Sequence, residues 1–233
     1  MSGLTDQHLH LRDLTLTDES FAGRAFDDLT STNCTFVRCD FSGISARQAS
    51  LGGGNEHSRY DSCVFDGARL RMSTAGHATF VNCSFRGAVI TDWECHAVSL
   101  IDCVFTGRLR NCTFDGRLPD DYRAYLGRDD NEIRGNDFTG AAMAKVYFLR
   151  GVDLAAQRLP TGPEYFHLAD APAAVAGVRA EIETWPAEKR RTAEFFLRGF
   201  DRMIADGQRQ IFGRRDDYAK GFGTVGRQLI DRW

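Results

Sequence analysis

The chain has little net charge and no long hydrophobic segment. Its 233 residues carry a formal net charge of -3, and no run of about 18 apolar residues that could span a membrane occurs. The first residues, Met1 to His8, also lack the basic and apolar regions of a secretory leader. We therefore expect a cytoplasmic protein that makes no membrane contact.

A polyelectrolyte segment is missing as well. Residues 1–150 hold 20 acidic and 16 basic groups, and residues 151–233 hold 12 acidic and 13 basic groups. Nucleic-acid binding driven by phosphate needs a basic stripe that releases condensed counterions. The best basic cluster, Arg214 and Arg215 near Arg209, is diluted by the aspartates that follow it. Direct nucleic-acid binding is therefore not expected.

Cysteine is the first residue type whose spacing is informative. The seven cysteines could indicate a disulfide framework, a metal site or a catalytic thiol. Cys63, Cys83 and Cys103 lie 20 residues apart, and each begins a segment of the form Cys-x-Phe-x-Gly. The cysteines therefore belong to an internal repeat, and we expect them to be reduced thiols in a core.

A finer period of five runs through the same region. Neither a helix, with a period of 3.6, nor a strand, with a period of 2, has this spacing, so we expect four short extended segments in each 20-residue coil. Stacked coils would form a solenoid whose inward side chains make ladders about 4.8 Å apart. The predicted ladder residues are Cys63, Phe65, Leu70, Phe80, Cys83, Phe85, Ile90, Leu100, Cys103 and Phe105.

The repeat pattern extends over residues 10–155, with two interruptions. Phe41 and Phe65 are separated by 24 residues, four more than one coil, and the intervening glycines predict a loop near 52–55. After Phe105 the period slips by one residue, and the stretch 118–135 is irregular. We expect both interruptions to be loops on the solenoid surface.

This pattern of a small residue, a polar residue, Leu or Phe, and two variable residues resembles the pentapeptide-repeat proteins. The resemblance covers about two thirds of the chain and implies a mainly β fold, a right-handed quadrilateral parallel β-helix. The Cys-x-Phe segments at 63, 83 and 103 are similar to those of bacterial members that bind type II topoisomerases and confer fluoroquinolone resistance. The resemblance therefore also implies DNA gyrase as a partner.

The five-residue phase ends before the last third of the chain. Residues 156–169, which contain Pro160 and Pro163, are expected to be an exit linker, and residues 170–233 an α-helical module. Asp170 is the predicted cap of a first helix, and Thr184 the predicted cap of a second. A third helical segment is expected close to the last residues.

The helical module has three alternative roles. It could cap the open end of the solenoid, join two copies in a homodimer, or recognise a partner. A cap has a physical cause, because the last coil of a solenoid exposes unpaired backbone groups and apolar side chains.

The sequence offers no catalytic constellation, and we expect no metal and no cofactor. His8 and His10 lack further ligands at metal-site spacing, and neighbouring Cys95 and His96 should point to opposite faces of a strand. The glycines at 52–54 lack the lysine and hydroxyl of a phosphate-binding loop. The leading hypothesis is a non-catalytic protein–protein interaction scaffold with an unidentified protein partner. The alternative is a DNA-mimicking modulator of gyrase, and an enzyme is a third, unsupported possibility.

Overall fold

The computed structural model describes residues 6–54, 56–73 and 76–233. Its strands and helices are β1 (Asp6–Arg12), β2 (Thr15–Thr17), β3 (Ala25–Thr32), β4 (Thr35–Val37), β5 (Ser45–Leu51), β6 (Ser58–Asp61), β7 (Arg69–Met72), β8 (His77–Val81), β9 (Ser84–Thr91), β10 (Glu94–Cys95), β11 (Ala97–Ile101), β12 (Val104–Asp115), α1 (Asp120–Leu126), β13 (Ile133–Arg134), β14 (Asp137–Leu149), β15 (Tyr165–Leu168), α2 (Ala171–Ile182), α3 (Ala187–Ala205), β16 (Ile211–Arg214), α4 (Arg215–Ala219) and α5 (Gly223–Ile230).

Two parallel sheets wind around one core. One sheet has the order β1-β3-β5-β7-β9-β12, with β10 and β14 also paired to β12, and the other has the order β13-β11-β8-β6-β4-β2. Strand partners lie one 20-residue coil apart, as in Leu29 with Ala49 and Phe85 with Phe105. The predicted mainly β solenoid with a pentapeptide repeat is confirmed.

Stacked phenylalanines form the central ladder of the core. The ring centroids of Phe65 and Phe85 are 4.8 Å apart, and those of Phe85 and Phe105 are 4.7 Å apart, with nearly parallel planes. The ladder continues from Phe105 to Phe138 at 4.8 Å. These spacings match the distance between neighbouring strands, so each coil places its ring directly on the ring below.

Each cysteine of the repeat follows a corner with left-handed backbone. Asn82 and Asp102, the residues before Cys83 and Cys103, have φ values of 52° and 54°. Asn and Asp are the residues other than glycine that best tolerate this region, because their side chains bond to the local backbone. The recurrence of Asn, Asp or Ser before cysteine was the sequence signal for these corners, and the prediction placed only glycines there.

The slip in the repeat after Phe105 is a β-bulge. Phe105 pairs with Phe85, a separation of 20 residues, whereas Leu109 pairs with Ile90, a separation of 19. Gly107 lies at the shift with a φ of 96°, and a Cβ there would be 2.3 Å from the carbonyl oxygen of Ala88. The bulge therefore requires a glycine, since any side chain would clash with the coil below.

Two segments that were expected to be irregular contain regular structure. The stretch 118–135 includes helix α1 and strand β13, and β13 pairs with β11 as a further rung of the second sheet. The expected linker 156–169 includes β15, which pairs antiparallel with β16 of the module. Residues 170–233 are therefore not purely helical. The sequence hides this pair because its strands are only four residues long and 42 residues apart.

The carboxyl-terminal module covers the end of the solenoid. Tyr165 and Phe212, from β15 and β16, belong to the same buried cluster as the solenoid core, and the Tyr165 hydroxyl accepts a hydrogen bond from Met143 N at 3.0 Å. Gln208 is fully buried at this junction, where its Oε1 accepts from Gly151 N and Val152 N. The module thus caps the apolar end of the last coil.

The helix caps agree with the prediction at one of two positions. Asp170 accepts a hydrogen bond from Ala173 N at the start of α2. Thr184 does not cap α3, because its hydroxyl donates to the carbonyl of Glu181 in the preceding turn, and the helix begins after Pro186. Proline suits a helix start, where an amide proton would have no intrahelical acceptor.

Candidate binding groove

The predicted ladder residues lie in the solenoid core. All ten are buried, and within the described chain none of the cysteines is bonded to another. Burial raises the pKa of Cys95 well above its ordinary value and that of Cys112 to about 11. These thiols are therefore protonated and inaccessible, so the ladders shape the scaffold and do not touch a partner.

Most other candidates from the sequence are dispersed or engaged in local contacts. The rings of His8 and His10 stack on the edge strand β1, 6.2 Å apart. The cluster of Arg214 and Arg215 is broken up, because the guanidinium of Arg215 donates to the carbonyls of Pro163 and Ile230. Within the described residues, no group of three or more His, Cys, Asp and Glu side chains is arranged to hold a metal ion.

An aromatic groove lies between the module and the last long strand of the solenoid. It is formed by α3, by α4 and the turn after it, and by Tyr147 of β14. The groove encloses about 350 Å³, near the lower end of the roughly 300–1,000 Å³ typical of ligand pockets. Its aromatic lining residues are Tyr147, Phe195, Phe196, Phe200, Tyr218 and Phe222.

Phe195 stands at the mouth of this aromatic groove. Its side chain is 62% exposed, whereas the neighbouring floor residues Phe196 and Phe200 are 3% and 2% exposed. The Phe195 ring lies 5.9 Å from that of Phe222, and the guanidinium carbon of Arg198 lies 5.8 Å from its centroid. A large ring held in solvent beside an apolar groove is typical of a binding surface.

The rim of the aromatic groove is basic. Arg198, Arg202 and Lys220 line it, and Arg191 lies on the adjoining side next to Phe195. All four side chains are exposed. In the described part of the chain, none of the four lies within ion-pair distance of a carboxylate. Their charges are therefore available to an incoming group.

Two carboxylates also border the aromatic groove, but both are engaged. Asp217 Oδ2 accepts a hydrogen bond of 2.6 Å from Lys145 N, which holds α4 against the solenoid. Glu194 pairs with Arg190 at 3.8 Å, one helical turn back on α3. The electrostatic character of the groove is consequently set by its cations.

The hydroxyl of Tyr218 is a buried polar group in the wall of the aromatic groove. Its oxygen has no hydrogen-bond partner among the described residues, and burial raises the pKa of Tyr218 far above its usual range. An unsatisfied buried hydroxyl is costly, at about 1–3 kcal/mol. A ligand that presents a hydrogen-bonding atom there would recover part of that cost.

The sequence pattern pointed to only part of this groove. Ala193, Phe196 and Phe200 mark the apolar face of α3 by their helical spacing. Phe195 lies about 100° from Phe196 around the helix, so one of two adjacent phenylalanines must leave the core. That adjacency was the available signal, whereas Tyr147 joins the groove only through the docking of the module.

A second feature is a network around His96. His96 Nδ1 lies 2.7 Å from Oδ2 of Asp115, a carboxylate that is 1% exposed. Arg150 contacts the same carboxylate at 3.4 Å and also approaches Asp206 of the module at 3.7 Å. Asp115, by its hydrogen bond, is the main cause that raises the pKa of His96 above its ordinary value. The network links the solenoid wall to the module, and the prediction of a surface histidine beside core Cys95 missed this half-buried pair.

Arginine neutralises many of the acidic side chains on the outside of the solenoid. Arg38 pairs with Asp18 at 2.7 Å and Arg71 pairs with Asp92 at 3.2 Å. Further arginine pairs on the solenoid involve Asp27, Asp61, Asp102, Glu132 and Asp137. These pairs interrupt the negative potential along the coils.

Comparisons with known proteins add a likeness of low similarity. No protein-family profile matches the chain, and no curated protein matches it. A trypsin-treated form of QnrB1, a plasmid-mediated fluoroquinolone resistance protein, is 16% identical with a TM-score of 0.26, over 65% of this chain and 72% of that chain. HetL, a pentapeptide repeat protein involved in heterocyst differentiation regulation from the cyanobacterium Nostoc sp., is 14% identical with a TM-score of 0.21, over 67% of this chain and 92% of that chain.

Identities and TM-scores this low carry no inference about a partner or an activity. In the described residues, no helix is long and apolar enough to cross a membrane. The five-residue repeat and the register of the parallel strands within the chain itself make this protein a pentapeptide-repeat solenoid with a carboxyl-terminal cap.

Proposed function

We propose that the protein is a non-catalytic interaction scaffold that binds a protein partner through the aromatic groove of its carboxyl-terminal module. The observation that carries the proposal is the exposed ring of Phe195 beside a groove with an aromatic floor. Large aromatic side chains and arginines dominate the energy of protein interfaces, and both are concentrated here. The cytoplasm is the expected location.

The solenoid supports this role by holding the groove in a fixed position. The Asp217 contact to Lys145 N and the Gln208 contacts to Gly151 N and Val152 N fasten the module to the end of β14 and the turn after it. A preorganised surface loses less conformational entropy when it binds. An enzyme is not proposed, because no nucleophile, base and orienting group come together in the groove.

Site-specific photo-crosslinking tests the scaffold function. A photoreactive phenylalanine analogue replaces Phe195 in one variant and exposed Arg108 of the solenoid in a control variant, each expressed in the native host. We expect discrete covalent adducts with the same partner protein from position 195 and none from position 108. No adduct at 195, or the same adducts at both positions, would contradict the proposal.

DNA mimicry directed at gyrase is the alternative that the family resemblance implies. A mimic of duplex DNA needs a continuous column of negative charge, and the arginine pairs on the coils interrupt it. A DNA supercoiling assay with purified gyrase, with and without a fluoroquinolone, separates the two functions. We expect neither inhibition nor drug protection, and a dose-dependent effect of either kind would favour the alternative.

A further inference from the structure

We propose that the occupant of the aromatic groove is an acidic protein segment that inserts one aromatic or large aliphatic side chain. This inference rests on the proposed scaffold function and adds the chemistry of the partner. It joins two observations, a groove with apolar walls and a rim of cations without carboxylate partners.

The walls of the aromatic groove specify the anchor. Phe196 and Phe200 form a floor that is almost completely buried, and Phe222 packs edge-on to Phe196 with centroids 5.2 Å apart. Rings arranged in this way accept another ring in edge-to-face or offset contact. Phe195 can then close over the anchor from the solvent side, which removes apolar surface from water on both partners.

The rim specifies the charge around the anchor. Arg198 and Arg202 project from one face of α3, Lys220 stands on the opposite side of the groove, and Arg191 extends the rim by two helical turns. Carboxylates on either side of an inserted side chain would meet a cation in both directions. Because these cations are exposed, they add mainly to the association rate and to specificity, and their effect weakens with salt.

A single nucleic-acid strand fits the aromatic groove less well than a peptide. Single-strand binding proteins present several exposed rings along a basic track, so that successive bases can stack. In this groove Phe195 is the exposed ring, and the deeper rings form a pocket for one group. The buried Tyr218 hydroxyl adds a hydrogen-bonding group within the wall, where a peptide carbonyl could accept from it.

Fluorescence anisotropy with synthetic peptides tests the partner chemistry on the full-length chain. The probe is a labelled peptide with one tryptophan flanked by glutamates and aspartates. Its two matched relatives replace the tryptophan by alanine or the acids by their amides, and a labelled oligothymidylate of similar charge serves as the nucleic-acid probe. We expect either peptide change to weaken binding about tenfold or more, and the oligothymidylate to bind no better than the alanine peptide.

Protein variants locate the binding. Phe195→Ser and the pair Arg202→Glu with Lys220→Glu should each weaken the acidic peptide about tenfold, whereas Arg108→Glu on the solenoid should leave it unchanged. Circular dichroism of each variant establishes that it is folded. Because the charge variants alter only exposed side chains, they keep the test meaningful if Phe195→Ser proves unstable.

Three results would overturn the inference. Equal affinity for the amide peptide would remove the acidic requirement, and stronger binding of the oligothymidylate would assign the groove to nucleic acid. Concentration-dependent dimerisation that Phe195→Ser abolishes, in a chain that binds no peptide, would assign the groove to a second copy. If position 195 crosslinks a protein in cells but acidic peptides do not bind, the partner chemistry is wrong while the scaffold function stands.

Discussion

Aromatic side chains have opposite environments in the two parts of this protein. In the solenoid, Phe85 is 1% exposed and lies between the rings of Phe65 and Phe105 in a continuous stack. In the module, Phe195 is 62% exposed and contacts only the side of the groove. The same residue type thus stabilises the fold in one region and provides a binding surface in the other.

Charged side chains show the same contrast. On the solenoid, several acidic groups pair with an arginine about one coil away, as Asp18 does with Arg38. Around the aromatic groove, Arg198, Arg202 and Lys220 have no carboxylate within ion-pair distance among the described residues, and the nearby Asp217 is held by a backbone amide. The difference indicates that the interacting surface is the module and that the solenoid is its support.

The largest expected effect comes from exchanging matched phenylalanines. Phe85→Ala should lower the free energy of unfolding by about 3–5 kcal/mol, because it leaves a cavity in the ladder. Phe195→Ala should change it by less than about 0.5 kcal/mol, since its side chain is largely in solvent. Urea unfolding followed by circular dichroism measures both values. Similar losses for the two variants would show that Phe195 is part of the core and would break the comparison.

A smaller effect is expected at the junction of the two parts. Gln208 donates to the carbonyls of Val152 and Gln210 and accepts from two amides of the last coil. Gln208→Ala leaves these buried groups unpaired and should cost about 2–3 kcal/mol. Amide hydrogen exchange at Gly151 and Val152 should accelerate with it.

The control for this junction is Gln48→Ala, an exposed glutamine on β5. We expect a change in unfolding free energy of less than about 0.5 kcal/mol. If Gln208→Ala behaves like this control, the module is not fastened through Gln208, and the solenoid would have to position the groove by the Tyr165 and Phe212 contacts instead.

The sequence predicts the solenoid well because its core is local and repeated. Each coil restates the rule that places Phe65, Phe85 and Phe105 inward, and even the shift at Gly107 is visible as a one-residue slip in the period. The corner residues before the cysteines are equally periodic. A rule repeated at every coil is legible in one sequence without any knowledge of distant contacts.

The aromatic groove could not be predicted to the same extent. Its walls come from β14, α3 and the turn after α4, which meet only because β15 pairs with β16 across the intervening helices. Those strands show no alternation that a short window could detect. Helical spacing identifies Phe196 and Phe200 as core residues, but the position of Phe195 beside a basic groove depends on the docked arrangement.

The smallest expected effect tests whether the solenoid and the module communicate through His96. Glu94, Asp115 and Arg150 are the charged groups around its ring, and Tyr122 lies 6.4 Å away. Because the folded pKa of His96 is raised, its contribution to stability is complete below the unfolded value of about 6.5 and is lost as the pH rises through the folded value. Urea midpoints of the wild type should therefore fall over that range of pH.

His96→Gln isolates this contribution, because glutamine can still donate a hydrogen bond to Asp115 but does not titrate. Partial burial lowers the pKa of His57 and His167, so those groups act in the opposite direction and remain in both proteins. The difference between wild type and His96→Gln should thus decline as the pH rises. A difference that is constant with pH would mean that His96 keeps an ordinary pKa, and that Arg150 alone balances the buried Asp115 and joins it to Asp206 of the module.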